Sequence, residues 1–143
     1  MDKSNSLIKG RITELKVLNY FLEEGYIVSS PEVPYQYDFI LDTGTKLLKI
    51  QVKTCREVDD GDCIEFNTAS VTHNSHGYIK REYSSNTVDY FCTFYNNECY
   101  LIPFNECGTK SKKMRLVPTK NGQIKNITFA KDYIAREVLN NNQ

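Results

Sequence analysis

Apolar positions follow a helical repeat near the start of the chain and mostly a two-residue repeat through its middle. Over residues 6–24, Leu7, Val17, Leu18 and Phe21 fall on one side of a helix, which Ser4 or Asn5 can cap and Gly25 can end. Residues 26–29 predict a strand leading into a turn at Pro31 and Pro34. Residues 36–41 and 46–53 predict a β-hairpin closed at Asp42-Thr43-Gly44-Thr45. A turn over 58–62 precedes a strand at 63–67. The polar stretch 68–87 predicts a long loop with at most one turn of helix. Residues 88–95 and 99–102 form a second predicted hairpin, ended by Pro103. A short strand at 123–129 and a helix at 131–139, with Ile134 and Val138 inward, complete the pattern. One helix, six strands besides the short one at 123–129, and a second helix predict a single α/β (α+β) domain over residues 1–143, a mixed sheet flanked by helices.

Length supports that picture. A chain of 143 residues buries roughly 70% of its unfolded surface without needing a staple. The five cysteines include no C-x-x-C pair, which argues against a zinc site or a disulfide framework, and Cys92 reads as a small core residue. No apolar run approaches the ~18 residues of a membrane span, and the first residues lack a signal peptide's apolar core. The expectation is a cytoplasmic protein without a membrane partner.

The net charge of +0 does not advertise a nucleic-acid binder. Its distribution is more informative. Lys110, Lys112, Lys113, Arg115, Lys120 and Lys125 follow one another with no acidic residue between them. Such a stretch is either a solvated basic loop or a surface that neutralises phosphates.

Polar residues are oddly placed in three of the regular elements. In 46–53, Leu48, Ile50 and Val52 share one face, while Leu47, Lys49, Gln51 and Lys53 share the other. In 36–41, Asp38 lies on the face opposite Tyr37, Phe39 and Leu41, inside a run that disfavours aspartate. The short turn makes the two strands antiparallel neighbours, so Asp38 can approach Gln51 and Lys53. On the first helix, Leu7, Gly10, Val17, Leu18 and Phe21 fall within roughly 60° of Glu14. Glu14 is therefore expected near the centre of the buried stripe, either in a salt bridge to Lys53 or Lys49 or at a metal. Gly10, one turn earlier, leaves room for a close approach. Two carboxylates, a carboxamide and an amine suit phosphodiester hydrolysis, because magnesium takes oxygen ligands and a lysine can orient the attacking water.

Asp38, followed after twelve residues by Gln51-Val52-Lys53, resembles the PD-(D/E)XK nuclease motif with glutamine in the second acidic position. Gly10-Arg11-Ile12-Thr13-Glu14 and Ile50-Gln51-Val52-Lys53-Thr54 strengthen the likeness, which is most similar to the small intron-encoded homing endonucleases. The resemblance implies a restriction-endonuclease-like core and a DNA endonuclease using Mg²⁺ or Mn²⁺. Asp38 would ligate the metal, with the Gln51 side chain and the Val52 carbonyl in support. Lys53 would position water, and Glu14 would hold a metal-bound water or a second metal. Double-stranded DNA is the implied partner, and a chain this short favours a homodimer or homotetramer for reading a long site. A Holliday-junction resolvase or repair-type nuclease, and a DNA-binding module on the same fold, are the rival readings.

Further candidates are weaker. Tyr35 and Gln36 sit where they could meet phosphates. Tyr78, Lys80, Arg81 and Tyr83 mix aromatic and basic character like a nucleic-acid surface. His73 and His76 could hold a metal, as in His-Asn-His nucleases, but the surrounding sequence lacks that motif's context.

Overall fold

The computed structural model describes residues 5–74, 77–81 and 83–142, with 70–74 and 77–81 as backbone only. Helix α1 spans Ser6–Glu23. Of the two candidate caps, Asn5 lies among the described residues and accepts the Leu7 N–H at 2.8 Å. At the other end Gly25 takes φ +90°, and the Gly25 and Tyr26 amides return to Leu22 and Phe21. This is the glycine-closed helix end that the sequence predicts.

Five strands form the main sheet: β1 (Ile27–Ser29), β2 (Phe39–Asp42), β3 (Leu47–Val52), β8 (Tyr90–Tyr95) and β9 (Glu98–Pro103). Their order is β1-β2-β3-β8-β9, antiparallel throughout except for the parallel pair β3–β8. The β2–β3 hairpin pairs Phe39 with Ile50 and Leu41 with Leu48, the register that alternation demands. Asp42 closes its turn by accepting the Gly44 N–H at 2.8 Å. In β8–β9 both turn residues, Asn96 and Asn97, take positive φ, as a two-residue hairpin loop requires.

A parallel pair needs a long crossover. Here the crossover is itself β structure, where the sequence suggests largely loop. It contains β4 (Arg56–Val58), β5 (Cys63–Asn67), β6 (Ser70–Asn74) and β7 (Gly77–Arg81). Strands β6 and β7 form a two-stranded hairpin within the segment expected to be a long loop with a helical turn. Strand β10 (Ser111–Arg115) joins a second sheet of order β10-β5-β4. The stretch expected as a basic loop is therefore partly a strand. The expected strand at 123–129 is absent; only a single bridge joins Phe129 to Arg115. The terminal helix is also interrupted. A 3-10 turn at Ala130–Tyr133 breaks at extended Ile134 before α2 (Ala135–Asn141).

The layers follow from these faces. Val17 and Phe21 of α1 and Ala135 and Leu139 of α2 pack on Phe39, Leu41, Ile50, Val52, Cys92 and Leu101. The second sheet covers the opposite face, with Ile64, Phe66 and Met114 against Phe91 and Ile102. Among the described residues no helix is long and apolar enough to cross a membrane.

Candidate active site

The chain segments bearing Asp38, Gln51 and Lys53 meet where the β2–β3 ladder ends. Asp38 lies one residue before β2. Its N–H donates to the Ile50 carbonyl at 2.8 Å, and its carboxylate accepts the Val52 N–H at 2.7 Å. Backbone bonds thus hold it on both sides. Burial pushes the Asp38 carboxyl up to about 6; the Val52 amide opposes the rise, the neighbouring Glu14 carboxylate adds to it, and the Lys53 ammonium opposes it. A half-buried acid against a second acid is the charge pattern that a bound cation relieves.

Glu14 reaches this point from α1, but not from the middle of the buried stripe. The helix buries Thr13, Val17 and Phe21, while Leu7 is 81% exposed, so the inward direction lies to one side of that expected. Glu14 stands on the flank with 29% of its side chain exposed. Its ion pair is with Arg11 at 3.9 Å, one turn away, and not with Lys53 or Lys49. The space around Gly10 is open, with nothing close enough to meet an added Cβ. What fixes the helix here is Thr13. Its hydroxyl donates to the Lys9 carbonyl at 3.0 Å and lies 2.8 Å from the Thr54 hydroxyl, just past Lys53.

Gln51 pairs in register with Phe91. Its Nε2 donates to the Val52 carbonyl at 3.4 Å, and its Oε1 is buried without a partner. A buried oxygen left unpaired is unfavourable by about 1–3 kcal/mol, a penalty that a cation would remove. Asp38 and its neighbour Glu14, with the Gln51 Oε1 and the Val52 carbonyl on the adjoining strand, are all oxygen donors, the kind magnesium accepts. These residues fit a divalent ion.

Lys53 is held by groups that the sequence does not reveal as its partners. Its Nζ donates to the Tyr83 hydroxyl at 2.9 Å and to the Ala69 carbonyl at 3.4 Å, and sits 4.7 Å from the Tyr83 ring centre. Tyr83 packs edge-on against Phe91, with centroids 5.4 Å apart, so it braces the amine from within rather than presenting a stacking face to solvent. An ammonium has three N–H donors, so these two bonds leave one.

A cleft of about 370 Å³ leads to the carboxylates between α1 and the 30–38 segment, lined by Arg11, Glu14, Tyr35, Tyr37 and Asp38. A larger hollow of about 490 Å³ lies under the 115–132 segment and lacks converging carboxylates. Tyr35 is exposed at the cleft and packs edge-on to Tyr37. Gln36 is instead engaged internally, accepting the Thr87 hydroxyl at 2.5 Å.

Part of the basic stretch meets the protein's own groups, while Lys120 and Lys125 are exposed. Lys112 donates to the Glu106 carbonyl at 2.8 Å, Lys113 pairs with Asp59 at 3.0 Å, and Arg115 lies 3.9 Å from Asp62. Lys110 is exposed. Lys80, Arg81 and His73 lie on the β6–β7 hairpin with side chains outside the described residues, and His76 lies outside them altogether.

The chain is similar to a solved bacterial homing endonuclease, I-Ssp6803I, with a TM-score of 0.72 and 21% identity over 94% of this chain and 92% of that one. No curated protein matches it in sequence. A family model described as PD-(D/E)XK endonuclease matches residues 4–136. With nearly the whole length matched, the chain belongs to the PD-(D/E)XK endonuclease family.

Proposed function

We propose that this nuclease is a metal-dependent DNA endonuclease and that it acts as a site-specific homing enzyme. The observation that carries the metal dependence is the Asp38 carboxylate held beside Glu14, with an unpartnered Oε1 on Gln51, the residue before the Val52 whose N–H Asp38 accepts. The homing role rests on the likeness to I-Ssp6803I and on glutamine in the motif.

Asp38 and the Gln51 Oε1 would hold the ion, Mg²⁺ or Mn²⁺, with support from the Val52 carbonyl and from Glu14. A bound divalent ion polarises the phosphate and makes its coordinated water more acidic. Lys53 directs its remaining N–H toward the attacking water and the charge that develops on the phosphate. Tyr83 keeps the Lys53 amine at that position. Gln51 is neutral, so it attracts a cation less than the usual acid does, and the two carboxylates carry the attraction.

Tyr83→Phe tests the brace. The ring and its packing remain, while the hydroxyl acceptor is lost. A hydrogen bond to a charged group is worth about 1.5–3 kcal/mol. Single-turnover cleavage should fall about tenfold with DNA affinity unchanged. An unchanged rate would remove Tyr83 from the mechanism.

Substrate choice separates the homing role from junction resolution. A randomised linear duplex library and a four-way junction, each incubated with the protein and Mg²⁺, should show cleavage of a defined subset of duplexes. Selective cutting of the junction would replace homing by resolution.

A further inference from the structure

Helix α1 carries a second apolar stripe, on the side away from its own core. Ile8, Ile12, Leu15 and Leu22 are 40%, 46%, 50% and 54% exposed. Asn19 completes the series at 8, 12, 15, 19 and 22. That alternation of four and three is the seam of a paired helix. The stripe's residues belong to neither core cluster, to which α1 contributes Val17, Leu18, Tyr20 and Phe21. Contiguous apolar surface of this kind marks an interaction site.

The flanking charges identify the occupant. Lys9, Lys16 and Glu23 lie seven residues apart along one edge of the stripe, basic at the helix start and acidic at its end. A parallel copy would set Lys9 against Lys9 and Glu23 against Glu23. An antiparallel copy sets each Lys9 against Glu23 of the other chain, twice across a two-fold axis. Lys16 falls at that axis, where its Nζ is drawn 5.8 Å from the Phe94 ring centre. We propose that the outer stripe of α1 is the docking surface for a second copy of this chain, packed antiparallel about a two-fold axis near Lys16.

The orientation suits the proposed function, on which this part of the inference rests. Arg11 and Leu18 lie along the opposite edge of the stripe and line the cleft that leads to Asp38. In an antiparallel two-fold pair like edges meet like edges. Both clefts therefore open on one face of the dimer, where a single duplex can reach both. Two paired helices of 18 residues bury an area at the low end of specific interfaces, below ~1,200 Å², and area does not fix affinity, so association is sought across the micromolar range.

Sedimentation equilibrium of the full chain across that range, without DNA or metal, tests the interface. Wild type should dimerise, and Leu15→Lys, which places a charge in the seam, should weaken association at least about 100-fold. Lys9→Glu and Glu23→Lys should each weaken it several-fold, and the double variant should recover wild-type association. Because Leu15 is half exposed, circular dichroism should show each variant folded. A monomeric wild type, a Leu15→Lys protein that dimerises normally, or a double variant that fails to recover would each overturn the proposal. Oligomeric state is read without catalysis, so an inactive dimer would count against the nuclease reading alone.

Discussion

Asp38→Asn should stop cleavage and make the metal-free protein more stable. Activity should fall at least ~10³-fold, about 4 kcal/mol of transition-state stabilisation. The stability change has the opposite sign. Burial and Glu14 raise the folded carboxyl from 3.8 to about 6. Below the unfolded value both states are protonated and no penalty exists. As pH rises through the folded value the native state must carry a buried charge, and stability is lost. Wild type should therefore lose on the order of 2 kcal/mol between about pH 4 and pH 6, and the asparagine variant should not. Asparagine keeps an oxygen to accept the Val52 N–H, so the hairpin end stays intact. Thermal melts of both proteins at pH 4 and pH 7.5 in EDTA check this. Equal melting shifts in both would mean that Asp38 bears no buried charge.

Lys53→Met should reduce the cleavage rate by ~10²-fold or more while leaving DNA affinity within about twofold. Methionine keeps the length of the stem and its packing beside Tyr83 but offers no donor. Lys53→Arg should not rescue the rate. The amine fits between the Tyr83 hydroxyl and the Ala69 carbonyl as a compact point charge, and a planar guanidinium has different geometry. Binding by gel shift and single-turnover cleavage separate the two effects. Parallel loss of binding and rate would instead assign Lys53 to holding DNA.

Much of the site was legible because it lies within short-range patterns. Alternation over residues 36–53 sets the β2–β3 register and brings Asp38 to the Val52 amide. Glu14 was legible as an anomaly but was misplaced. A helical wheel sums two apolar stripes on α1 into one direction, and only tertiary packing shows which of them faces the sheet. Strand β10 has one apolar residue, Met114, in Ser111–Arg115, so nothing local announces it; pairing with β5 makes it a strand. The same pairing places Lys113 opposite Glu65 and near Asp59, a partner that the linear sequence does not reveal, and leaves Lys110, Lys120 and Lys125 exposed. Tyr83 looked like a stacking residue because its partner, Lys53, lies 30 residues earlier. The β6–β7 hairpin that separates them is polar on both strands, and its residues carry no clear alternation.

In the proposed function Asp38, Glu14, Gln51 and Lys53 cut DNA around a divalent ion. Wild type and Asp38→Asn incubated with a randomised duplex library, each with Mg²⁺ and with EDTA, test it most directly. Wild type should yield cut ends with Mg²⁺ and none with EDTA, and Asp38→Asn should yield none in either. Cleavage by wild type in EDTA, or equal cleavage by the two proteins in Mg²⁺, would contradict it.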